Sequence, residues 1–177
     1  MAQDINDCCR RNNQLRNMTI RTSVCIKKFN ILRKFVGDAK PSIDLGCGAY
    51  EPLEINTTDA CDIAPAAAGF LKEHGFKGNF FVADIRNLPT EDKKYKVAVC
   101  SEVIEHLKTE EDVIKAFKEI DRISESWIVT TPLNRIPDPD HYFFFTRESL
   151  KKLIPLKDYF IFDDGFYIYI SNKKEVL

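Results

Sequence analysis

Ser42-Ile43-Asp44-Leu45-Gly46-Cys47-Gly48 decides how the rest of the chain is read. A short apolar run closes on two glycines, which let a backbone turn tightly at a strand end and come close to a ligand. The same pair also makes an ordinary strand-to-helix turn, so its neighbours carry the weight. The third glycine of a dinucleotide fingerprint would stand at position 51, where the chain has Glu51. A carboxylate beside a pyrophosphate repels it, which disfavours a nicotinamide dinucleotide. Asp44, at the strand end just before the glycines, suits a ligand that carries positive charge.

Downstream, short apolar runs at 42–45, 58–63, 80–83, 96–100 and 126–131 alternate with helix candidates at 65–74, 102–107 and 110–123. Such alternation predicts a parallel, doubly wound sheet. The tail differs. A helix is expected at 148–154, and aromatic runs at 159–162 and 166–170 flank Asp163-Asp164-Gly165, a hairpin signal. The expected fold is one α/β domain with a mostly parallel seven-stranded sheet and a C-terminal antiparallel hairpin. Only residues 49–57, including Pro52, separate the glycine loop from the second run, so the first helix of the series must be very short. Residues 86–95 read as a loop. Upstream, Cys25, Phe29, Leu32 and Val36 share one face of a helix predicted over 18–36, with Lys27 and Lys34 opposite. The chain therefore divides into a basic helical extension, 1–40, and a domain, 41–177.

The 177 residues carry a formal net charge of −1, a sum that hides an asymmetry. Residues 1–40 are at +6 and residues 41–177 at −7. Near-neutrality therefore does not exclude an anionic partner. No apolar run approaches the ~18 residues of a membrane span, and the acidic start does not read as a secretory signal. Cys8, Cys9, Cys25, Cys47, Cys61 and Cys100 form no CxxC pair, and Cys61 and Cys100 fall in apolar runs. A reducing, cytoplasmic setting without membrane contact is the expectation.

Three further blocks end in chemistry-bearing residues. Asp59-Ala60-Cys61-Asp62-Ile63-Ala64-Pro65 places an acid where doubly wound folds bind ribose hydroxyls, although Asp62 also reads as a turn or capping residue. Val82-Ala83-Asp84-Ile85 repeats the pattern, with a carboxylate suited to an exocyclic amine and an apolar residue suited to a purine face. Ser101-Glu102-Val103-Ile104-Glu105-His106-Leu107 follows a buried strand. Over about residues 41–155 these blocks, in this order, resemble the class I S-adenosylmethionine-dependent methyltransferases, closest to the type 11 group. The resemblance implies a Rossmann-like fold and S-adenosyl-L-methionine as cofactor. It implies that Gly46, Cys47 and Gly48 line the methionine moiety, with Asp44 near its amino group. It also implies Asp62 and Ile63 at the ribose end, Asp84 and Ile85 on adenine, and Ser101 and Glu102 facing the sulfonium.

Methyl transfer from a sulfonium needs an in-line nucleophile and little else, because proximity and orientation lower the barrier. Glu102 and His141 are the candidate catalytic residues for a small-molecule or other acceptor. A second expectation is a metal-assisted RNA 2′-O-methyltransferase. On a helix, Glu102, Glu105 and His106 fall at i, i+3 and i+4, and with His141 they resemble the divalent-metal set of the small-RNA 3′-terminal 2′-O-methyltransferases. The same Glu-x-x-Glu-His-Leu recurs in generic methyltransferases without metal, so no metal is the favoured expectation. Arg10, Arg11, Arg16, Lys27 and Lys28 would meet RNA phosphates or form a solvated face. His74, before Gly75, reads as a helix C-cap. Residues 132–145, with Arg135, His141, Tyr142 and Phe144, would wall an acceptor pocket or join the core. A third expectation is a non-catalytic module that binds the cofactor.

Overall fold

A computed structural model describes residues 23–49, 51–133 and 140–174. The part of the predicted first helix before residue 23, Cys8, Cys9, Arg10, Arg11, Arg16 and Arg135 lie outside the described residues, as does the Cys25 side chain. Helix α1, Ser23–Val36, ends where Gly37 donates its N–H to the Arg33 carbonyl. Strand β1 is Ser42–Leu45, and helix α2 is the five-residue Glu51–Ile55, as short as the spacing requires. Strand β2, Asp59–Asp62, leads through Pro65 into helix α3, Ala66–Glu73, which His74 caps with its N–H on Phe70 O. Strands β3, Asn79–Val82, and β4, Tyr95–Ser101, follow with no helix between them. Helix α4, Glu110–Ile123, starts on Thr109, whose side chain accepts the Asp112 N–H. Strand β5 is Ser124–Pro132, helix α5 is Arg147–Leu153, and strands β6, Phe160–Asp163, and β7, Tyr167–Ser171, form the terminal hairpin.

Among the described residues seven strands make one sheet in the order β3-β2-β1-β4-β5-β7-β6. The first five are parallel, while β7 lies antiparallel between β5 and β6. Helices cover both faces, so the central strands are buried on both sides rather than alternately, and all four residues of β1 are buried, Ser42 and Asp44 included. Alternate residues of β4 serve the two layers. Ala98 and Cys100 join Val113, Phe117, Ile120 and Trp127 beneath α4, whereas Val97 and Val99 join Phe29, Leu32, Val36 and Tyr169 beneath α1. Complete burial of a side chain such as Leu32 contributes about 1.5–3 kcal/mol. The chain reverses its direction of winding between β1 and β4, so a crevice opens at their carboxyl ends, the place where open α/β sheets bind ligands.

One expected element is different. Residues 102–107 do not form an α-helix. Glu102 takes a left-handed backbone (φ 56°), and its N–H continues the strand ladder to Thr130 O at 3.0 Å. Only a 3₁₀ turn, Ile104–His106, follows. Pairing with β5 therefore wins over the local helical pattern, and Glu102, Glu105 and His106 share no helical face.

Candidate functional site

The β1–β2 side of the crevice is built from backbone. Gly46 and Cys47 both donate their N–H groups to Cys61 O, at 2.9 and 3.0 Å, which draws the glycine loop across the end of β2. Gly46 has φ 72°, and a Cβ there would lie 2.5 Å from Val103 Cγ2, so only glycine lets the loop pass this close to the turn after β4. Asp62 completes the clamp. Its carboxylate accepts Gly48 N–H and Ala64 N–H, each at 2.8 Å. Burial raises the Asp62 pKa above the ordinary range, and these backbone donors oppose the rise.

Asp44 is 1% exposed, and neither carboxylate oxygen has a hydrogen-bond partner. Desolvation drives its pKa well upward, and the neighbouring Glu51 and Asp62 carboxylates add to this against the opposing Lys28 ammonium. A buried acid without a donor costs free energy unless something else satisfies it. A cationic ligand group at this position would do so.

On the β4–β5 side, side chains meet side chains. Lys28 of α1 is 4% exposed and reaches over the end of β4, donating to Ser101 Oγ at 3.0 Å and to the Glu102 carboxylate. Thr130 Oγ1 donates in turn to Ser101 Oγ at 3.0 Å, and Glu51 stands 3.9 Å from the ammonium. Desolvation works against the lysine charge, yet the Glu102 and Glu51 carboxylates outweigh it and hold its pKa well above the usual range. Glu51 itself is pushed up to about 7, chiefly by desolvation.

Beyond Glu102 lies a second group. Glu105, His106 and His141 bring one ligand atom each within 4.8 Å of one another. Glu105 is buried with both oxygens unpartnered, and desolvation pushes its pKa up to about 8. His106 Nδ1 lies 3.0 Å from the Asp140 carbonyl, an acceptor only, so Nδ1 is the donor of this bond. Glu102, expected in this group, is held on Lys28 instead.

The type 11 methyltransferase-domain family matches residues 43–126. A Mus musculus protein named "Probable tRNA methyltransferase 9B" is 31% identical over 108 residues, 58% of this chain and 24% of that protein. The chain thus spans about a quarter of the length of that curated relative. An S-adenosylmethionine-dependent methyltransferase from Clostridium acetobutylicum has the same fold, with a TM-score of 0.67 and 14% identity over 93% of this chain and 98% of that one. So does magnesium protoporphyrin IX methyltransferase from Synechocystis, solved with bound SAH, with a TM-score of 0.61 and 11% identity over 82% and 81%. Residues 43–126 thus match a methyltransferase domain, and the fold is the one these solved methyltransferases share.

Within this methyltransferase domain the expected cofactor residues fall at one end of the sheet, but not all face the crevice. Asp44, Gly46, Cys47, Gly48, Asp62, Ser101 and Glu102 surround the carboxyl ends of β1, β2 and β4. Ile63 is 46% exposed beside Asp62, whereas Ile85 is 5% exposed and packs in the core. Apolar surface at this edge is offered by Ile63 and by Val82, which is 52% exposed and pairs with Asp62. The Asp84 carboxylate is gripped by Arg86 Nε at 2.9 and 3.0 Å, and Arg86 also binds Asp112 at 2.9 Å. The Arg86 contact lowers the Asp84 pKa. Phe143 and Phe145 stack inward, with centroids 5.2 Å apart, while Tyr142 and Phe144 stay exposed.

Lys28 was expected on phosphates or in solvent, and the structure buries it. The signal was present in its spacing: Lys28, Leu32 and Val36 form one row at intervals of four, the row that packs on the sheet.

Proposed function

We propose that this domain binds S-adenosyl-L-methionine across the ends of β1, β2 and β4 and transfers its methyl group to an acceptor held above β4 and β5. The observation that carries the reading is Asp44, a fully buried carboxylate without a donor, beside a glycine loop held open by Asp62. The methionine ammonium supplies the missing donors, the loop admits the chain of the cofactor, and Asp62 with Ile63 meets the ribose and the base. Transfer then proceeds by orientation. The Lys28–Glu102 pair and Ser101 line the place where the methyl group emerges, and Glu102 is the group available to take the acceptor proton. The buried thiols Cys47, Cys61 and Cys100 fit a reducing compartment such as the cytoplasm.

Isothermal titration with S-adenosylmethionine tests the reading. Micromolar affinity is expected, and Asp44→Asn should weaken it by about 10–100-fold, the scale of one charge-assisted bond. No detectable binding to the intact protein would overturn it. Binding without methylated product from any RNA, protein or metabolite fraction would leave the non-catalytic module.

A second reading is favoured by one observation, the convergence of Glu105, His106 and His141. Their oxygen and nitrogen donors suit Mg²⁺ or Mn²⁺, which would lower the pKa of a ribose hydroxyl. The unpartnered Glu105 carboxylate and the two imidazoles, with ligand atoms within 4.8 Å of one another, fit such an ion. The name of the tRNA methyltransferase relative and the +6 charge of residues 1–40 support RNA as the acceptor in this case. RNA methylation abolished by chelation and by Glu105→Ala is the expected result, and activity surviving both would remove the metal.

A further inference from the structure

The segment after β5 is fastened to the turn after β4. Tyr142 N–H and Phe143 N–H both donate to Glu105 O, at 2.8 and 3.3 Å, and His106 binds the Asp140 carbonyl. This tether sorts the aromatic residues that follow. Phe143 and Phe145 turn inward and stack, with Phe145 in the main core. Tyr142 and Phe144 are left outside, 57% and 48% exposed. The rings of His106, His141 and Phe144 form a row with centroids 4.8 and 6.4 Å apart, running from the buried Glu105 to the surface. Two large rings, two residues apart, are thus exposed on a backbone anchored to the turn after β4.

We propose that Tyr142 and Phe144 form a stacking platform for an unpaired base of a single-stranded nucleic acid, and so determine which acceptor this methyltransferase accepts. The inference rests on the methyl-transfer reading above and names the acceptor class. Three features select this occupant. Stacking on aromatic faces is how proteins hold unpaired bases without reading their sequence. The platform is open, whereas a site for a free small molecule encloses most of its ligand. The +6 charge of residues 1–40 complements a phosphate chain. A base-paired strand keeps its faces stacked on its neighbours and cannot use the platform.

The test uses the full chain with an RNA oligomer containing 2-aminopurine, the same oligomer in a duplex, and its DNA counterpart, in the presence of S-adenosylhomocysteine. Single strands should bind with fluorescence quenching, duplex binding should be at least about 10-fold weaker, and Tyr142→Ala and Phe144→Ala should each weaken single-strand binding by about 10-fold. Calorimetric binding of S-adenosylmethionine should be the same in both variants. Phe144→Leu keeps apolar bulk without a ring and should not rescue. Equal binding of single strand and duplex, unchanged binding by the variants, or rescue by leucine would overturn the platform. Absent oligomer binding with intact cofactor binding would overturn it while leaving methyl transfer standing, and absent cofactor binding would remove the reading on which it rests. The DNA arm assigns the sugar.

Discussion

The two sides of the crevice are held by different kinds of bond. On the β1–β2 side, main-chain amides of the glycine loop close on Cys61 O and on the Asp62 carboxylate. On the β4–β5 side, the order comes from Lys28, Glu102, Ser101 and Thr130, contributed by a helix, a strained turn and two strands. Backbone geometry is insensitive to most substitutions, so a side built from it suits a cofactor that never changes. A side assembled from side chains is replaced residue by residue, which suits an acceptor that differs from one methyltransferase to another. Glu102 marks the border. It is a non-glycine residue in the left-handed region, at a cost of about 1–3 kcal/mol, and it is held there by the Thr130 carbonyl and the Lys28 ammonium.

The largest effect should come from breaking the backbone side at its single side-chain anchor. Asp62→Ala leaves Gly48 N–H and Ala64 N–H without their acceptor, and two charge-assisted bonds are lost together. Cofactor affinity should fall by more than about 100-fold, measured by calorimetry, with circular dichroism showing the fold retained. An affinity within about 3-fold of the parent would mean that the loop holds its shape without Asp62.

Next in size is the side-chain side. Lys28→Met removes the buried member of a half-buried pair and leaves Glu102 and Glu51 without their cation, a change that costs about 1–2 kcal/mol in stability. The double variant Lys28→Met with Glu102→Gln should recover part of that loss, so the cycle in urea denaturation should give a coupling of about 1 kcal/mol or more. The two sides also predict different kinetics. Lys28→Met should lower transfer more than it lowers cofactor binding, whereas Asp62→Ala does the reverse. Equal losses in both would erase the distinction between them.

This division also explains how much the sequence revealed. Strand ends, the short α2, the loop at 86–95 and the terminal hairpin were legible because glycine, proline and a period of two act locally. The placement of Asp44, Gly46, Gly48 and Asp62 together was legible for the same reason, since they stand at strand ends in their own blocks. The other side depends on contacts between residues 73 and 74 positions apart, Lys28 with Ser101 and Glu102, which no local pattern encodes. The expectation that Glu102, Glu105 and His106 share a helical face failed on this point. Residues 102–107 read as helical by themselves, but the parallel ladder with β5 extends one residue further and takes Glu102 with it. Glu105, His106 and His141 still converge, through the tether of residues 140–143 to the Glu105 carbonyl rather than through helical spacing.

The smallest effect expected is on pH, and it runs in opposite directions for stability and for binding. Glu51 and Glu105 are raised by desolvation from an ordinary value of 4.5 to about 7 and about 8. Each therefore holds a proton in the folded protein that the unfolded chain releases near 4.5. Their contribution to stability is complete below that value and is lost as pH rises through 7 and 8. The thermal midpoint should fall between pH 6 and pH 9, and Glu105→Gln, which keeps the neutral shape, should flatten the fall. Binding of S-adenosylmethionine should instead strengthen over the lower part of the same range, because ionised Glu51 beside Asp44 favours a cationic ligand. The gain is limited to about 10-fold per pH unit for one released proton, and Glu51→Gln should abolish it while Glu105→Gln leaves it in place. A binding profile that follows Glu105 would place the cofactor's positive charge on the β4–β5 side and reverse the assignment of the two halves.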